Sequence, residues 1–101
     1  MVDIEIRENV RDFDTIRDNM SKLGVWFENK GIKLDGDKKV LREKYGYKKF
    51  NICLDEFENM DKLILIKKEI GSESEAEKSR VMNECKDLFN FLIAVSQAWK
   101  D

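Results

Sequence analysis

Along the last third of the chain, Val81, Cys85, Leu88, Leu92, Val95 and Trp99 recur at alternating steps of four and three. That spacing lines up one face of an α-helix. Met82, Phe89, Phe91, Ile93, Ala94 and Ala98 widen the face, while Asn83, Glu84, Lys86, Asp87, Asn90 and Gln97 hold the polar side. Two overlapping capping boxes, Ser72 with Glu75 and Ser74 with Glu77, open it with acids that suit the helix dipole. The pattern predicts a helix over 72–99 that forms the spine of the core. Its four-three spacing is also that of a helix-pairing seam, so a homodimer through this C-terminal helix is one expectation.

Earlier in the chain, Val2, Ile4 and Ile6 alternate with Asp3 and Glu5, as a strand with one wet face does. Glu8 and Asn9 are read as its end, with Asn9 or Asp12 capping the next element. Phe13, Ile16, Met20, Leu23 and Phe27 then fit a second long helix, weakened or bent at Gly24 and stopped by Gly31. On that reading Trp26 packs at a bent helix end. Ile32-Lys33-Leu34 reads as a short strand and Asp35-Gly36-Asp37 as a turn, with Asp37 capping a short helix through Tyr45 that Gly46 ends. Phe50, Ile52 and Leu54 alternate with polar neighbours, which predicts a strand. An acidic connection, 55–61, leads to the apolar run Leu63-Ile64-Leu65-Ile66. A hairpin and a single helix over 54–68 both fit there; the β-branched residues and Gly71 favour the hairpin. The elements add up to an α+β fold, a small and mostly antiparallel sheet packed by two long helices, in one domain over 1–101.

Composition then narrows the chemistry. With 101 residues, 42% hydrophobic and 40% charged, the chain can build a modest core beneath a highly charged surface. It has no histidine, so the commonest general base and metal ligand is missing. Cys53 and Cys85 lie far apart and are read as free thiols of a cytoplasmic protein. The five glycines stand singly and form no phosphate-cradling loop, and the acids at 55, 56, 58 and 61 lack the layout of a calcium loop. No metal, no cofactor and no enzymatic activity are expected. Neither a bilayer-spanning run nor a secretory leader is read in the sequence, so the expected location is the cytoplasm, with no membrane partner.

One stretch departs from the even mix of charge. Lys38, Lys39, Arg42, Lys44, Lys48 and Lys49 face only Glu43, so 38–49 carries +5 while the remainder carries −7 of the total −2. Tyr45, Tyr47 and Phe50 are interleaved. Cations that track phosphates and rings that stack on bases are what single-stranded nucleic acid needs, and an acidic protein surface would also pair with the cations. The net negative charge and the acidic opening of the last helix argue against a dedicated nucleic-acid coater; a double-stranded-RNA-binding domain would have a lysine-rich turn there. Lys38, Lys39, Arg42, Lys44, Tyr45, Tyr47, Lys48 and Lys49 are therefore the candidate partner-binding residues. The expected role is a small protein-binding module of inhibitor, immunity, antitoxin or anti-defence type that acts by charged-surface docking, with nucleic-acid binding through the basic-aromatic segment 38–50 as the alternative.

Overall fold

The computed structural model describes residues 2–71 and 74–94. Seven elements run in the order β1 (Val2–Val10), α1 (Asp14–Leu23), β2 (Trp26–Asp35), β3 (Lys38–Tyr47), β4 (Phe50–Phe57), β5 (Lys62–Ile70) and α2 (Glu75–Ile93). The strands form one antiparallel sheet in the order β1-β5-β4-β3-β2. β2 to β5 are a meander of hairpins, and β1 returns to pair with β5. The helix α1 thus joins the two opposite edges of the sheet. The fold is α+β, as the periodicities predict.

The core lies between one face of the sheet and the helices. Ile52 and Leu54 of β4, Ile64 and Ile66 of β5 and Ile4 of β1 meet Ile16 and Met20 of α1 and Val81, Cys85, Leu88 and Leu92 of α2. The four α2 positions are those its seam picks out. Ser74 is the N-cap, accepting the Glu77 backbone N–H at 3.1 Å, so the second capping-box pattern marks the start. The helix closes at Ile93 with Ala94 extended; the predicted continuation through Val95 and Trp99, and the first pattern at Ser72, lie outside the described residues. Buried Asn19 of α1 holds that end, its Nδ2 donating to the carbonyls of Phe91, Leu92 and Ala94 at 3.2, 2.9 and 2.8 Å. A helix end leaves its last carbonyls short of intrahelical donors, and Asn19 supplies one here beside the bond that Phe91 already accepts from the Ala94 N–H at 3.2 Å.

Three expectations need correction. The first helix does not run to Gly31. It stops at Leu23, where Gly24 is left-handed (φ 79°) and its N–H reaches the Ser21 carbonyl while that of Val25 reaches Met20. That is a Schellman stop, which only glycine accepts without strain. Asp12 caps the start, its Oδ1 accepting from the N–H groups of Asp14 and Thr15. Phe27 and Trp26 consequently lie on a strand, and Trp26 rests against Gly46, where a Cβ would collide with its indole.

Nor is there a helix from Asp37 to Tyr45. Left-handed Gly36 (φ 65°) turns the chain back, and 38–47 pairs with β2 on one side and β4 on the other. Its Lys, Arg and Glu favour a helix only weakly, whereas two flanking strands supply a full ladder of backbone hydrogen bonds. Finally, β1 continues through Glu8 and Asn9 to Val10, because β5 pairs with it over that whole length. The alternative over 54–70 resolves as the β4–β5 hairpin.

Candidate functional site

The strand assignment disperses the basic segment. Lys38 and Lys39 open β3, while Lys48 and Lys49 form the turn after its other end, roughly 30 Å away at strand rise. Alternation then divides the rest. Arg42 and Lys44 lie on the sheet face away from the helices, while Tyr45 and Tyr47 point toward the core.

Arg42 is already engaged. Its Nε and Nη2 donate to both carboxylate oxygens of buried Asp55 at 2.7 Å each, a bidentate pair across β3 and β4. Tyr45 donates its hydroxyl to Glu43 at 2.6 Å and meets the ring of Phe27 edge-on, centroids 5.6 Å apart. Lys48 lies over the ring of Tyr47, 5.3 Å from its centroid. The eight predicted site residues therefore form no single surface.

Glu43, the one acid of the segment, organises the helix side. Arg17 of α1 donates to its two oxygens at 3.2 and 2.7 Å, and Lys30 of β2 approaches to 3.8 Å. Burial alone would push its carboxyl up. The hydrogen bonds from Arg17 and Tyr45, with the charges of Arg17 and Lys30, hold it below the ordinary value of 4.5. Every member of this cluster has a partner within it, so it joins α1 to the sheet.

On the open face, Cys53 sits near Arg42, Lys44 and Lys67, but burial outweighs these cations and pushes its thiol up. A thiol held protonated is a poor nucleophile. It is separated by the sheet from Cys85, which is buried among the helices. Among the described residues no group of three metal-ligating side chains gathers. No helix there is long and apolar enough to cross a membrane.

The sequence pattern marks only 32–34 of β2 as a strand and gives no sign of its exposure. In the fold β2 is an edge strand, and all ten of its residues are exposed. Phe27, Ile32 and Leu34 fall on the helix side, 57%, 67% and 67% exposed, yet no described helix covers this end of the sheet. Leu41 of β3 lies directly beside Ile32 and extends the stripe. The opposite edge is different: α2 packs on β1 and β5 and buries Ile4. The Ile32-Lys33-Leu34 alternation beside Asp35-Gly36 was the available signal for a strand. Its exposure was not legible, because that depends on where α1 passes.

No known family model matches the chain, and no curated protein matches it in sequence. Among solved structures it is similar to the PH1012 protein from Pyrococcus horikoshii OT3, with a TM-score of 0.63 at 11% identity. The likeness covers 95% of this chain and 93% of that one. At that identity what the two share is the architecture.

Proposed function

We propose that this chain is a cytoplasmic protein-binding module, not a catalyst, and that its working surface is the free edge of β2 with the apolar stripe beside it. The observation that carries the reading is a ten-residue strand exposed along its whole length, with Ile32 and Leu34 two-thirds exposed. An uncovered edge offers unpaired N–H and C=O groups to another chain; Lys30, Lys33 and the irregularity at Phe27/Asn29 blunt this one in part, but no described element covers it. Strand addition draws affinity from those backbone groups and specificity from alternate side chains. Nucleic-acid binding through 38–50 has less support, because the cations lie at two ends and on two faces and Arg42 is neutralised by Asp55.

The test compares affinity capture by three forms of the protein: wild type, Ile32→Arg/Leu34→Arg, and Lys48→Glu/Lys49→Glu. The edge reading expects a partner held by wild type to be lost from the arginine variant and kept by the turn variant. Loss from the turn variant alone, with binding that weakens steeply as salt rises, would favour the polyanion reading instead.

A further inference from the structure

We infer that the partner seated on the β2 edge is a second copy of this chain, paired antiparallel, strand β2 against strand β2, about a twofold axis at Ile32. The inference rests on the edge reading above and adds the identity of the occupant.

The backbone defines which registers are open. Asp35 and Lys38 close a two-residue hairpin around Gly36 and Asp37, so they exchange hydrogen bonds with each other. Alternation along an antiparallel ladder then turns the N–H and C=O groups of Gly31 and Lys33 toward β3 and those of Lys30, Ile32 and Leu34 outward. A twofold at Ile32 sets Ile32 against its own copy and Lys30 against Leu34 twice. All three outward residues then fall in hydrogen-bonded pairs.

Side chains select among these registers. With the axis at Ile32, the helix side gathers Ile32, Leu34 and Leu41 from both copies, and the lysine stems lie along the leucines. On the other side Lys33 meets Gly31, and Asp35 meets Asn29, so no like charges stand directly opposite. Moving the axis to Lys33 would put two lysines face to face in a close pair, which is destabilising. Moving it to Gly31 would place both copies of Ile32 against Lys30 and separate the isoleucines. Over the whole strand Glu28 and Asp35 balance Lys30 and Lys33, so two copies meet without net repulsion. The alternative of β2 on the partner's β1 edge would not close and would propagate, and there α2 already packs alongside. The buried seam of α2 is occupied by the sheet and α1, which leaves the helix a weaker candidate for self-association than the bare strand.

Light scattering coupled to size exclusion across a concentration series reads the assembly. Wild type should approach twice the 12.0 kDa chain mass as concentration rises into the high micromolar range. Ile32→Arg/Leu34→Arg, at two positions exposed in the single chain, should keep its circular dichroism and dissociate about tenfold or more readily. Register is read by oxidation in a Cys53→Ser background. Ile32→Cys should form an interchain disulfide, since the paired Cα atoms would lie about 5.5 Å apart. Leu34→Cys should not, because its copies would lie roughly 13 Å apart.

A wild type that stays monomeric throughout overturns the inference, as does a dimer unaffected by the arginine pair or one cross-linked through Leu34→Cys but not Ile32→Cys. A monomer that still captures another protein through the intact edge defeats the self-pairing alone. A monomer whose captured partner is indifferent to the arginine pair defeats the edge reading as well.

Discussion

Two buried carboxylates sit on opposite faces of the sheet, and each has an arginine gripping both oxygens: Glu43 with Arg17 on the helix side, Asp55 with Arg42 on the open side. Glu43 also accepts from Tyr45, and its carboxyl titrates below the ordinary value. A carboxylate with a lower pKa in the folded state contributes stability that is present above its unfolded pKa. That contribution is lost as the pH falls through the folded value, because the unfolded chain binds the proton first. We expect Glu43→Gln to cost about 1–3 kcal/mol at neutral pH, the cost of unpairing a buried, hydrogen-bonded group. Its stability should also fall less steeply than that of wild type as the pH drops below about 4.5. Glu84, held low by Lys68, titrates in the same direction in both proteins, so the difference between the two urea-denaturation curves isolates Glu43. Equal slopes would contradict the assigned role. None of this was readable from the segment, where Glu43 is one acid among six cations. Its main partner lies 26 residues upstream, and only the fold brings the two together.

Elements were legible in proportion to how much of their structure is local. The helix α2 carries its own N-cap and a periodic face, and its buried positions match that periodicity. Leu92, fully buried near its C-terminal end, should cost about 2–5 kcal/mol when changed to Ala. Exposed Asn90→Ala should cost little. Equal losses in chemical denaturation would mean that the face is misplaced. Across β2 and β3 the local mark is limited to the Ile32-Lys33-Leu34 alternation. Phe27 completes a helical spacing by coincidence, and Gly24 decides the matter through a conformation that spacing does not encode. The Lys-rich run from Lys38 becomes a strand because β2 and β4 flank it, a tertiary circumstance of the kind that overrides propensity. The candidate site obeyed the same logic. Charge clustered in sequence is scattered by the period of two, and an apolar stripe divided between β2 and β3 is assembled by the hairpin.

At the scale of the whole molecule the sheet has one layer of helices and two unequal edges. Both helices lie on one face; α2 packs on β1 and β5, and α1 reaches the middle of β3 through Arg17 before its Gly24 stop returns the chain to the far edge. Among the described residues no helix covers the outer part of the β2–β3 hairpin on that side, and the protein-binding proposal rests on this asymmetry. Amide hydrogen exchange along β2 tests it most directly. At low concentration and without a partner, the amides of Gly31 and Lys33, bonded to β3, should exchange slowly, and those of Lys30, Ile32 and Leu34 freely. Raising the protein concentration, or adding a captured partner, should slow the Lys30, Ile32 and Leu34 amides selectively, and Ile32→Arg/Leu34→Arg should abolish that protection. If those amides exchange as freely in the associated state as in the dilute chain, the β2 edge is not the binding surface.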